Sequence, residues 1–178
     1  MVFFYTIRGG QCLNAHSHIS LTPTDITCYV GRDKHENEYL IKYGWPGDIW
    51  FHVDGLSSAH VYFRLKNIQT NNDGGKVVSS IPMDDLPTDS VEDMMQICKN
   101  NSIAGCKLAS CKMVYTPHSN LKKTFEMESG AVTYHDTKMC RYARCEKDRQ
   151  RVRLLEKTKT ADVKVDYFQV SVLIYTVL

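Results

Sequence analysis

Asp48-Ile49-Trp50-Phe51-His52-Val53 and Ser58-Ala59-His60-Val61-Tyr62-Phe63-Arg64 are the two stretches whose reading decides the fold. Side chains alternate along a strand, so Ile49, Phe51 and Val53 share one side, as do Val61, Phe63 and Leu65. Asp54-Gly55 is a turn signal between them, and the short connection suits a hairpin. One face of that hairpin is ordinary core. The other carries Trp50, His52, His60, Tyr62 and Arg64. Two readings of this second face are open. Exposed, it would stack bases and hold phosphate; covered by helices, it would be a second core layer with satisfied polar tips.

The surrounding chain supports an α+β domain. Its 178 residues are enough for one domain with a real core, and 43% apolar with 24% charged residues is ordinary for a globular protein. Residues 1–7 and 26–30 read as strands, the second ending at Gly31. Residues 9–25 are polar and turn-rich, with His16 and His18 among them, and read as a flexible loop. Asp33 and Glu36 have the form of a capping box, opening a helix that Gly44 and Pro46 stop. Arg32 and Lys34 therefore sit at a helix N-terminus, where an anion is favoured.

Residues 67–87 are rich in Asn, Asp, Gly, Ser and Pro and read as a surface insertion. Asp89 and Glu92 form a second capping pair ahead of Val91, Met94, Met95 and Cys98, an amphipathic helix that packs on the sheet. Residues 112–116 are a strand, Asn120 to Lys123 a loop, and 131–135 and 139–142 two strands joined at Asp136-Thr137. Residues 146–157 are helical, anchored by Val152 and Leu155. The expected fold is a single domain with a mostly antiparallel sheet and two or three packed helices.

A formal charge of +2 is too small for a global argument about nucleic acid. The distribution is more telling, with eight Lys/Arg against three Asp/Glu over residues 141–159. No secretory signal is visible, because Arg8 ends the apolar opening. The odd count of seven cysteines excludes a fully paired disulfide framework within the chain, and reduced thiols in cytoplasm or nucleus are expected. Cys106-x4-Cys111 and Cys140-x4-Cys145 lack the two-residue spacing usual for zinc pairs, so no metal and no cofactor are expected.

Gly31-Arg32 with Asn37 and Leu40, Asp48 to Val53, His60-Val61 with Arg64, Tyr115-Thr116 and Lys122-Lys123 together resemble the NFACT-R domain. The runs Leu56-Ser57-Ser58-Ala59-His60-Val61-Tyr62 and Ser119-Asn120-Leu121-Lys122-Lys123 resemble a stand-alone eukaryotic branch of that family. The resemblance covers residues 1–160, with loop insertions at 9–25 and 67–87, and leaves an apolar tail at 161–178 that is expected to be undocked. It implies nucleic-acid binding, to RNA, tRNA or DNA, without catalysis. Large relatives act on stalled ribosomes, and the stand-alone branch is associated with DNA sensing at the cell membrane. A ribosome-associated scaffold and a membrane-associated receptor, with the basic element from Arg32 to Glu36 as the DNA contact, are thus the alternatives. The expected interface is Arg32, Lys34, Arg64, Lys122 and Lys123 for charge, with Trp50, His52, His60 and Tyr62 as platform or support. An enzyme would need His52 and His60 as an acid–base pair.

Overall fold

The structure, a computed structural model, describes residues 1–16, 19–66, 68–69, 77–78 and 81–162. Strands β1 (Val2–Tyr5), β2 (Ile26–Gly31), β3 (Ile49–Val53), β4 (Val61–Leu65), β5 (Ser110–Pro117), β6 (Arg141–Glu146) and β7 (Thr160–Asp162) form one sheet. Their order is β6-β5-β3-β4-β2-β1-β7, and every neighbouring pair is antiparallel. Helices α1 (Lys34–Tyr43), α2 (Thr88–Asn100) and α3 (Arg149–Thr158) complete a single α+β domain.

The hairpin of β3 and β4 pairs Ile49 with Phe63, Trp50 with Tyr62 and Phe51 with Val61. Its aliphatic face joins Met94, Cys98 and Leu155 of α2 and α3 in one buried cluster. Trp50 and Tyr62 lie in a second cluster on the opposite face, with Val2, Tyr29, Leu40 of α1 and Val114. Helices thus cover both faces of the hairpin. Each fully buried aliphatic or phenyl side chain stabilises such a core by roughly 1.5–3 kcal/mol.

α1 starts where expected. Asp33 Oδ1 accepts from the backbone N–H groups of His35 and Glu36, both at 3.0 Å. The reciprocal half of the capping box is absent, because Glu36 Oε2 accepts instead from the amino group of Met1 at 2.7 Å. The chain crosses tightly from β2 into α1. A Cβ at Gly31 would lie 2.3 Å from Asn37 Oδ1, so only glycine fits there.

Four other expectations change. Residues 9–25 are not a flexible loop: Gly10–Gln11 pairs with Ser20–Leu21, and Cys12, Ile19 and Leu21 are buried in the first core. His16 Nδ1 lies 2.5 Å from Asp85 Oδ2, while His18 lies outside the described residues. The insertion at 67–87 docks at its end through buried Ile81 and Leu86; residues 67, 70–76 and 79–80 lie outside the described residues.

At α2, Pro87 occupies the cap position without a side-chain bond. Asp89 and Glu92 instead pair with Arg8 at 2.7 and 3.3 Å. Residues 121–122 are not loop but pair with 133–134, giving Leu121–Lys122 and Thr133–Tyr134 a ladder of their own. Asn120 sets this up, donating to Thr116 Oγ1 and the Asp136 carbonyl, both at 2.9 Å, and accepting from Asp136 N–H at 2.8 Å. The next strand restarts only at Arg141 and pairs with β5.

The sheet takes in the first residues of the expected tail. β7 pairs Thr160, Ala161 and Asp162 with Phe4, Phe3 and Val2, so the sheet runs past Lys159. The rest of the expected tail, residues 163–178, lies outside the described residues.

Candidate nucleic-acid interface

The second face of the hairpin is packed core. Trp50 is 1% exposed and Tyr62 fully buried, so neither can stack on a base at the surface. Trp50 Nε1 donates to His60 Nδ1 at 2.9 Å, and His60 is itself buried. The Tyr62 ring stacks on Tyr29 at 4.8 Å, but its hydroxyl has no partner among the described residues. Of the two readings of this face, the covered one describes Trp50, His60 and Tyr62: α1 and the segment 121–134 lie over them, so they are support and not an exposed platform.

Arg64 is likewise committed inward. Its Nε and Nη2 donate to the two oxygens of Asp48 at 2.7 and 2.6 Å. Asp48 has no exposed side-chain surface, and it also takes the hydroxyl of Tyr29 and the N–H of Trp45. A guanidinium that neutralises a buried carboxylate cannot also serve a phosphate without leaving that charge alone.

His52 stacks on Trp50 at 5.3 Å and is partly exposed, at the edge of a pocket of about 300 Å³ that His60, Tyr134 and Gly130 also line. Its Nδ1 lies 2.8 Å from the Val53 carbonyl, to which it donates. Burial lowers the pKa of His52, and it pushes His60 down to about 3, with His52 and Lys123 adding to the effect. His60 accepts at Nδ1 and faces the Gly130 carbonyl with its other nitrogen. A neutral, fully engaged imidazole is a poor general acid at neutral pH.

Of the remaining predicted cations, Lys123 is brought against α1. Gly130 and Ser129 lie against the backbone of Lys34, Ser129 Oγ being 3.4 Å from the Lys34 carbonyl. Lys123 Nζ is 2.8 Å from Glu38 Oε2 and donates to the carbonyls of Glu128 and Ala131. The loop after the small ladder is thereby tied along α1. Arg32 and Lys34 are exposed at the start of α1 and Lys122 is exposed on the small ladder; Arg32 is shared with Asp33 at 2.9 Å, whereas Lys34 and Lys122 make no ion pair among the described residues. Lys123 is the structural member of the set.

Exposed aromatics were missed by sequence reasoning. Tyr39 and Tyr43 stack on the outside of α1 with ring centroids 6.5 Å apart, Lys42 lies 5.0 Å over Tyr43, and Trp45 follows. Phe125 stands fully exposed in the 123–130 loop. The signal was available. Tyr39 and Tyr43 are four apart, and grouping them with Leu40 and Ile41 hid the fact that they face away from the buried pair.

Among the described residues no group of three or more His, Cys, Asp or Glu is placed to hold a metal ion. No helix among them is long and apolar enough to cross a membrane.

Residues 3–136 match the model of the NFACT protein RNA binding domain. The chain belongs to this family. It is 47% identical over 143 residues to the coiled-coil domain-containing protein 25 homolog of Dictyostelium discoideum, which spans 80% of this chain and 64% of that protein. Identity to coiled-coil domain-containing protein 25 of Mus musculus is 43% over 160 residues, 89% of this chain and 66% of that one. Protein JLP2 of Saccharomyces cerevisiae is 34% identical over 162 residues, 89% and 68% of the two chains. The chain thus spans about two thirds of the length of these relatives.

The C-terminal part of the fibronectin/fibrinogen-binding protein from Streptococcus suis shares the fold, with a TM-score of 0.55 at 17% identity over 83% of this chain and 49% of that one. Within the NFACT-R frame, many of the residues that carry the resemblance are fold-makers. Gly31 and Asn37 set the crossing into α1, Asp48 and Arg64 pair, Trp50 and His60 bond, and Tyr115 stacks on Phe51.

Proposed function

We infer that the chain is a non-catalytic nucleic-acid-binding protein, with RNA the class its family description names. One observation carries this reading. The 123–130 loop is tied to α1 through Lys123, Ser129 and Gly130, next to the exposed Arg32 and Lys34 at the start of that helix, and Lys122 is exposed on the adjoining ladder. The Tyr39–Tyr43 stack on α1 and Phe125 in the loop add aromatic surface. Cations hold phosphates without reading sequence, and exposed rings stack on any base, so the expected binding is to single strands with little sequence preference. Burial of His60 supports binding over cleavage.

The test is anisotropy titration of single-stranded RNA, tRNA and duplex DNA across a salt series. Lys34→Ala with Lys122→Ala should weaken binding and shrink the log–log salt slope by about one to two units. Unchanged affinity and slope in the double variant would remove both lysines from the interface, and cleavage products in the wild-type samples would overturn the non-catalytic reading.

A further inference from the structure

α3 carries two kinds of arginine. Arg151 turns inward to the fully buried carboxylate of Asp93, which also holds Arg8. Arg149 and Arg153, one turn apart, stand exposed, and among the described residues neither has a hydrogen bond or ion pair. Like charges four apart oppose each other mildly on a helix. Both line a cavity of about 230 Å³ between α2 and α3, together with Gln96, Lys99, Lys147 and Asp148.

Lys99 is 2% exposed, and its Nζ donates to the carbonyl oxygens of Gly105 and Leu108 at 2.5 and 2.7 Å. No carboxylate pairs with it among the described residues. An ammonium has three donors, so one remains for a further oxygen. A buried cation without a counter-charge is costly, and an anion in the cavity would relieve that cost. Lys147 Nζ adds a fourth cation, donating to the Cys106 carbonyl at 2.7 Å. Asp148 is the acid on this wall, and its Oδ1 is already engaged as the cap of α3, accepting from Arg151 N–H at 2.8 Å.

We propose that this cavity is a phosphate site, in which Arg149 and Arg153 grip a single phosphate group in front of Lys99. Planar guanidinium groups present paired donors that match phosphate oxygens. The volume suits one phosphate group rather than a whole nucleotide, since pockets for larger ligands begin at about 300 Å³. α3 lies beyond residue 136, where the match to the family model ends, whereas Gln96 and Lys99 lie within it. A phosphate of a bound strand and a free phosphate offer the same chemistry. The strand phosphate is the committed source, and it rests on the nucleic-acid reading above.

Arg149→Gln with Arg153→Gln keeps helix propensity while removing both charges. Two measurements on the full chain decide the matter: anisotropy with single-stranded RNA over a sodium chloride series, and melting temperature with millimolar sodium pyrophosphate against sodium chloride of equal ionic strength. The expected result is an RNA affinity about three- to tenfold lower in the variant, with a salt slope smaller by about one to two units. If RNA binding is unchanged but pyrophosphate raises the melting temperature of wild type and not of the variant, the site takes free phosphate and the strand assignment is overturned. Unchanged RNA binding and no pyrophosphate effect overturn the site, leaving the nucleic-acid reading intact. If wild type binds no RNA, that reading fails and the pyrophosphate arm still decides the cavity.

Discussion

The indole N–H of Trp50 is received by Nδ1 of His60, a hydrogen bond of 2.9 Å made wholly inside the second core. The bond needs a neutral imidazole, since a protonated one would present a donor to a donor. Two residues whose sequence pattern suits either a surface platform or a second core layer are thus one internal unit.

Stability should therefore fall on mild acidification. Burial takes His60 from 6.5 to about 3. Above the ordinary value both folded and unfolded chains are neutral at this site. Below it the unfolded chain binds a proton that the folded chain refuses, and stability drops by about 1.4 kcal/mol per pH unit until the folded value is reached. His52 and His118 are lowered too, chiefly by burial, and act with the same sign. Chemical denaturation across weakly acidic pH should show the slope in wild type. His60→Gln, whose carbonyl can still receive the indole, should lose about one proton from it. An unchanged slope would mean that His60 is charged in the fold.

Trp50 and Tyr62 should behave as opposites. Trp50→Ala removes a buried ring and leaves His60 Nδ1 without a donor, at a cost of about 3–5 kcal/mol. Tyr62→Phe removes a buried hydroxyl that has no partner among the described residues, so its melting temperature should match or exceed that of wild type. A clear loss of stability in Tyr62→Phe would show that the hydroxyl has an acceptor.

The two adjacent lysines should separate. Lys122 is exposed and unpaired among the described residues, so Lys122→Ala should change stability by no more than about 0.5 kcal/mol. Lys123 ties the 123–130 loop to Glu38 and to two carbonyls, so Lys123→Ala should cost about 1 kcal/mol. Equal melting temperatures for the two variants would contradict the tie.

Truncation locates the end of the domain. A chain ending at Asp162 keeps β7, whereas one ending at Lys159 leaves β1 without its outer neighbour. The shorter chain should melt several degrees lower. Coincident melting curves would make β7 dispensable.

The hairpin, α1, the amphipathic α2 and the strand at residues 112–116 were legible because each has a strong period or an explicit cap. The small ladder was not, since Leu121–Lys122 is two residues long and is placed by the distant bonds of Asn120. The site was half legible. Alternation put Trp50, His52, His60, Tyr62 and Arg64 on one face correctly, but it cannot say what lies over that face, and Leu40 of α1 does. Asp48, which claims Arg64, lies sixteen residues earlier, and its role is visible only once β3 and β4 are paired. The cavity between α2 and α3 left no local mark, because residues about fifty positions apart build it.

β6 is the outermost strand on its side, and its free N–H and C=O groups form a template onto which a second chain could add. Arg141, Arg144 and Glu146 stand along it, Arg141 clasping Asp84 at 2.8 Å and Arg144 lying 2.6 Å from Glu146. The opposite edge is β7, described over Thr160–Asp162. A strand crowded with solvated charge resists the addition of a second chain along β6. Part of the most basic stretch of the chain therefore serves solubility, holding separate copies of the domain apart as their concentration rises.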